Sequence, residues 1–384
     1  MLLGVLLLMA VPAAVVQADD HALASIGTAV ISDSAHDSAV ATNGTISYIL
    51  TGLTPPPADK ALEGWLISDD GSVKLSTGII EVADDGSVHQ HYTSPTGEDL
   101  IAGYDKVVIT EEPVPDSDPG PSDVALYSHA IPSGAMTHIR HLLVIWPPPD
   151  ATKGILTHLK DQLDVAIVHA NLAKNSTDLD TVKLHTHHVI NILEGMEGAN
   201  YDASFGDPGD GFGALNHAAD RKHGPFAASA ATGDAVVVAG AALVDTTGKN
   251  AEDWATLARD TAVNSVLTAT TMTLAQVFIG PGANSIISNL EAARNGFDTD
   301  ADGAIESIAG EGGAAQAYVE AQKMATYTLT AGPPPTVVVP PVDTPGVGDP
   351  SIPRLAKLAL IAGLVLLAGG SALLVRSRRL RARA

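Results

Sequence analysis

Gly64-Trp-Leu-Ile-Ser-Asp-Asp-Gly-Ser-Val-Lys-Leu75 reads as two short β-rich runs around an Asp-Gly turn. Glycine at the second turn position accepts φ > 0 without strain, so Asp69-Asp-Gly-Ser72 joins its flanks as a hairpin. Asp84-Asp-Gly-Ser87 repeats the signal after Ile79-Ile-Glu-Val82. Ile46-Ser-Tyr-Ile-Leu50 and Lys106-Val-Val-Ile-Thr110 extend the same character on either side. Several such strands at close spacing predict a β-sandwich over 19–147, with Pro113–Pro121 as a loop within it and Pro147-Pro-Pro149 as a rigid extended stop.

From Ala151 the period becomes helical. Ile155, Leu159, Leu163, Ile167 and Leu172 fall near one face of a first helix, and Leu179, Val182, Val189, Ile190 and Leu193 near one face of a second, which Asp178 caps. Gly195–Gly213 is a Gly/Asp loop, and Ala-rich stretches at 234–243, 251–278, 284–295 and 314–330 complete a helical bundle domain over 151–330.

The two ends are apolar and differ in kind. Met1–Val16 stops at Val16-Gln-Ala18, small residues suited to a signal peptidase, so 1–18 reads as a secretion signal. Pro-rich 331–353 is an extended linker. Residues 355–375 contain an uncharged run, Leu358–Val375, long enough to span a bilayer, and the arginines of 376–384 belong on the cytoplasmic side. The expected fold class is therefore a multidomain β + α protein: N-terminal β-sandwich, α-helical bundle, then a single C-terminal transmembrane helix. Its bulk lies outside the cell membrane and its C-terminus in the cytoplasm. The same tail also resembles an exosortase- or rhombosortase-type sorting signal, in which the span anchors only temporarily.

The chain carries 21 Lys and Arg against 44 Asp and Glu, for a net charge of −23. Setting aside the seven basic residues of 354–384 leaves 14 for the exported part, or about −30, which repels nucleic acid. Zero cysteine excludes disulfides, thiolate catalysis and Cys-ligated zinc. These features suit a bacterial or archaeal envelope protein.

Glu63-Gly-Trp65-Leu-Ile67, Gly97-Glu-Asp-Leu100 and above all Val107-Val-Ile-Thr-Glu-Glu-Pro113 with its following Asp/Pro/Ser loop resemble the extracytoplasmic C-terminal domain of anti-sigma-K-type factors, over roughly Leu53 to Pro132. The resemblance implies a sandwich that senses or binds something outside the membrane, with no catalytic residues to carry over. In that family a cytoplasmic sigma-binding domain and a membrane helix come first. Here a secretion signal does, so sigma-factor binding is not expected.

With 14 histidines and no cysteine, imidazole is the soft ligand available. His158 and His169 are three helical turns apart on one helix, and His185 and His188 one turn apart on the next, with His187 turned aside and Glu194 further along. Facing helices are expected to bring His158 or His169 toward His185 or His188 with Glu194, a set for zinc, copper or iron, or for b-type haem through two axial imidazoles. Asp298-Thr-Asp300-Ala-Asp302-Gly303-Ala-Ile-Glu306 matches positions 1, 3, 5, 6 and 9 of an EF-hand loop and predicts a Ca²⁺ site. Position 12 is Ala309, and Glu311 comes two residues late. Asp202, Asp207 and Asp210 form a looser acidic loop. Gly-x-Ser-x-Gly and phosphate loops are absent, so the protein is expected to be non-enzymatic: a membrane-anchored binding or sensing protein with an envelope component or protein as ligand, or else a metal or haem carrier.

Overall fold

Asp70 builds the first hairpin. Its Oδ1 accepts from the Ser72 N–H and from the hydroxyls of Ser68 and Ser72, and Gly71 takes φ +73°, so β3 (Lys60–Ile67) returns as β4 (Lys74–Ile79). Asp85 repeats the device with Ser87. Gly86, at φ +80°, passes so close to Leu53 that a Cβ would lie 2.6 Å from its carbonyl oxygen. The computed structural model describes residues 24–33, 43–280, 282 and 284–334. The expected signal, transmembrane helix, arginine tail and most of the linker lie outside the described residues. Among these, no helix is long and apolar enough to cross a membrane.

The remaining strands are β1 (Ser25–Ser32), β2 (Thr45–Leu50), β5 (Val88–Thr93), β6 (Lys106–Pro113), β7 (Ala125–Ala130) and β8 (Thr326–Ala331). They form a single antiparallel sheet in the order β4-β3-β6-β7-β8-β1-β2-β5. β8 is the keystone: it joins two blocks that are not otherwise neighbours in that order. Ser128 Oγ donates to the Gly332 carbonyl at 2.7 Å, and Gly332 N–H to that of Leu126 at 2.8 Å, locking the end of β8 against β7. The outer edges approach each other. Gln90 of β5 donates to the Ile79 carbonyl (2.8 Å) and accepts from the Glu81 N–H (3.1 Å), while Tyr48 of β2 bonds Thr77 of β4 (2.8 Å). The sheet is thus curled nearly closed around Ile31, Ile46, Leu50, Leu66, Ile109 and Leu329, all fully buried.

The helices enter between β7 and β8. They are α1 (Leu100–Gly103, within the strand region), α2 (Ser133–Leu143), α3 (Ile155–Asn175), α4 (Leu179–Glu194), α5 (Ala214–Ala219), α6 (His223–Ala230), α7 (Ala235–Thr261), α8 (Met272–Ile279), α9 (Ile286–Asn295) and α10 (Ala314–Lys323). α3 and α4 pair as a hairpin whose second helix is capped by Asp178, accepting from the Thr181 N–H at 2.8 Å.

Four expectations are corrected. The sandwich of two sheets is one curled sheet, because β8 supplies backbone donors and acceptors that close the gap between its halves. The strand domain at 19–147 and the helical domain at 151–330 do not succeed one another as separate bodies. The helices are an insertion in the sheet, and strands and helices fall within one compact unit. The stretch 314–330 is helical only to Lys323. Thr326-Tyr-Thr-Leu-Thr then alternates and, Leu329 apart, is β-branched or aromatic, which favours a strand once β1 and β7 are beside it. On α3, the buried line runs Ile155, Leu159, Leu163, Ala166, Ala170 and Ala173, so Leu172 turns outward to 43% exposure.

Candidate metal centre

The α3–α4 hairpin brings three imidazoles together. His169 Nδ1 lies 3.1 Å from His188 Nδ1 and 3.3 Å from His185 Nδ1. A ring nitrogen carries either one proton or one in-plane lone pair, so His169 Nδ1 completes a good hydrogen bond with only one of these neighbours. The opposite nitrogen of His188 meets the Phe205 carbonyl at 2.8 Å. A carbonyl only accepts, so Nε2 carries the proton of the neutral ring and the Nδ1 lone pair faces the cluster. This is the outer contact that metal-bound histidines make. Burial, then His188 and His185, pushes the His169 pKa down to about 4, and burial with His188 also lowers that of His185. Nitrogens bound at 2.0–2.1 Å to one ion stand about 2.9 Å apart at right angles and about 3.4 Å apart in a tetrahedron, which brackets the observed separations. Axial haem ligands face each other across a porphyrin plane, an arrangement that three converging nitrogens do not make.

His187 stacks flat on the Phe205 ring, centroids 3.7 Å apart, and takes no part. Glu194 also stands apart, contrary to expectation. Its buried carboxylate accepts from the Asn200 backbone N–H (2.7 Å), the Asn200 amide (2.7 Å) and Arg259 (2.6 Å), because it closes the turn that ends α4. His158 shares a face of α3 with His169, but eleven residues of rise, about 16 Å, separate them. It stacks instead on His217 at 5.0 Å, beside Asp210, whose Oδ2 lies 2.7 Å from His217 Nε2 and 3.9 Å from His158 Nδ1. The looser acidic loop is dispersed by its own turns: Asp202 accepts from the Ser204 N–H, Asp207 from that of Gly209, and Asp210 from those of Phe212 and Gly213.

The oxygens of Asp298, Asp300 and Asp302 converge within 4.8 Å. Their turns are drawn by Asp298 accepting from the N–H groups of Ala301 (2.6 Å) and Gly303 (2.9 Å) and Asp302 from that of Ala304 (2.9 Å). Glu311, fully buried, reaches back to accept from the Thr299 N–H at 2.9 Å. A hydrogen bond between Glu306 and Glu311 heads the causes that raise the Glu306 pKa to about 6. The late acid therefore sits against the loop, because the Phe297 N–H bonds the Glu311 carbonyl and folds 297–311 onto itself.

A third group, His138, His141 and His223, has no counterpart among the sequence expectations. The i,i+3 pair in Thr137-His-Ile-Arg-His141 was its visible half, and its partner is 82 residues on.

Residues 5–131 match the family described as anti-sigma-K factor rskA, C-terminal. That is about a third of the chain; it covers β1 to β7 and ends before α2. The stretch carrying β1 to β7 is thus similar to the anti-sigma-K-type C-terminal domain, as its Trp-Leu and Val-Ile-Thr-Glu-Glu-Pro strands imply, and β8 lies outside the match. All three histidine groups lie beyond the match. No curated protein and no solved structure matches the chain.

Proposed function

We propose that this is a non-enzymatic, metal-responsive sensing protein of the cell envelope, in which the anti-sigma-K-type domain is the sensing scaffold and the inserted helices hold a transition metal. The observation that carries the reading is one His169 nitrogen set against two others at hydrogen-bond distance, an arrangement that a single ion satisfies and hydrogen bonds alone do not. Neutral imidazole donors suit Zn²⁺ or Cu²⁺, and three chain ligands leave a position for exchange. Export, a C-terminal membrane helix and an envelope ligand for the curled sheet complete the proposal. The strongly negative charge keeps nucleic acid off. Elemental analysis of the full chain after equilibration with Zn²⁺ tests it: His185→Gln and His188→Gln each remove an ion, and His187→Gln does not. Equal loss in all three variants, or in none, overturns the reading.

A Ca²⁺ ion is proposed at the Asp298 loop. Its support is the convergence of the three aspartate oxygens within 4.8 Å at EF-hand spacing, with buried Glu311 folded back onto the loop through the Thr299 N–H.

A further inference from the structure

We propose that His138, His141 and His223 form a second transition-metal centre, built independently of the α3–α4 site, that clips α2, the first helix after β7, to α6. His138 and His141 are one turn apart on α2, and His223 opens α6, which packs against α2. His223 Nδ1 lies 2.9 Å from His138 Nδ1 and 3.2 Å from His141 Nδ1. One ring nitrogen again faces two, and only one of those contacts can be a sound hydrogen bond. A single ion about 2.0–2.1 Å from each nitrogen satisfies all three. Burial holds all three rings below the ordinary histidine range, His223 down to about 4 with its two neighbours adding to the effect.

The surroundings are aromatic. The Trp146 ring centroid is 4.4 Å from that of His223 and 4.9 Å from that of His141, and Phe226 closes the other side at 5.5 and 5.6 Å from His138 and His223. The nearby Asp220 carboxylate is engaged by the Trp146 indole N–H (3.1 Å) and by Lys222 (3.3 Å). The donor set is thus nitrogen alone, a set for Zn²⁺ or Cu²⁺ rather than for calcium or magnesium.

Position makes this centre a clip. Arg140, between the two α2 histidines, forks onto Asp69 with two 2.9 Å bonds and donates to the Ile101 carbonyl at 2.8 Å, so α2 is already bolted to the β3–β4 turn. An ion shared with His223 extends that attachment to α6, and through it to α7.

The test uses the full chain stripped with EDTA. Bound Cu²⁺, a paramagnetic ion against the indole, is expected to quench Trp146 fluorescence. Trp146→Phe should lose that quenching while its Zn²⁺ content stays at the wild-type level. The double variant His138→Gln/His141→Gln, at partly exposed positions, should hold one Zn²⁺ fewer. Its affinity at this centre should fall by more than about 100-fold, beyond the usual loss from removing an outer contact. The variant His185→Gln/His188→Gln should keep the Trp146 quenching, so failure of the α3–α4 reading leaves a different signature. Undiminished quenching in Trp146→Phe, or wild-type Zn²⁺ content in His138→Gln/His141→Gln, overturns the proposal.

Discussion

Leu329 is fully buried on β8, between β7 and β1, and Leu329→Ala removes its packing at the seam between the two halves of the sheet. A leucine truncated at such a site costs about 3 kcal/mol, within the usual range of about 2–5. For about 300 ordered residues the entropy of unfolding is about 0.6 kcal/mol per kelvin, so the melting temperature should fall by about 5 °C. The informative outcome is which signal moves. In a Trp146→Phe/Trp254→Phe background the remaining indole, Trp65 on β3, follows the sheet, and ellipticity at 222 nm follows the helices. Because the helices are inserted between β7 and β8, both signals should shift together by the same amount. Val319→Ala, 45% exposed on α10, serves as the control and should change stability by less than about 0.5 kcal/mol. If the Trp65 midpoint falls while the 222 nm midpoint stays in place, sheet and helices unfold as separate bodies and the keystone argument fails.

The Asp298 loop should make stability calcium-dependent: at 2 mM Ca²⁺ and a Kd of order 0.1 mM, binding adds about 1.8 kcal/mol. Ca²⁺ should raise the melting temperature above its value in EDTA more than Mg²⁺ does, and Glu311→Gln or Asp300→Ala should erase the difference; equal melting in Ca²⁺ and EDTA refutes the site. Glu194→Gln should cost about 2 kcal/mol by removing the buried charge that Asn200 and Arg259 bond, although Arg259 keeps Asp260, yet leave the Zn²⁺ content unchanged; a lost ion would return Glu194 to the ligand set. In an NMR titration of the metal-free chain, His169 should stay neutral from pH 7 downward and protonate near pH 4, since burial disfavours its cation. The unfolded chain takes up that proton near 6.5, so this group's contribution to stability is present at pH 7 and declines as pH falls from about 6.5 toward 4. A midpoint at 6.5 would contradict the packing. A reporter fused after Ala384 should be active only in the cytosol; activity of an exported reporter there would reverse the proposed orientation.

What could be read along the chain is what neighbours in sequence decide. The Asp-Gly turns announce themselves because Asp70 and Asp85 bond residues two positions on, and Asp178 caps α4 through a contact three residues away. His185 and His188 share a face because helical geometry puts positions i and i+3 side by side, and for the same reason His187 points elsewhere. Glu194 departs from the ligand set for a physical reason too: periodicity sets its face, but Asn200 in the turn after Gly195 supplies two donors and Arg259 of α7 a third.

The amino-acid sequence by itself determined β2, β3, β4 and β6, the Asp-Gly turns, the α3–α4 hairpin and the histidines that share one helix face, since these follow from patterns spanning a few residues. Only the tertiary structure decided that β8 closes the sheet about 200 residues after β7, that His223 meets His138 and His141, and that Glu311 folds back on the Asp298 loop. Such pairings depend on which buried donors and acceptors remain unsatisfied once the core has formed, and no local pattern records that.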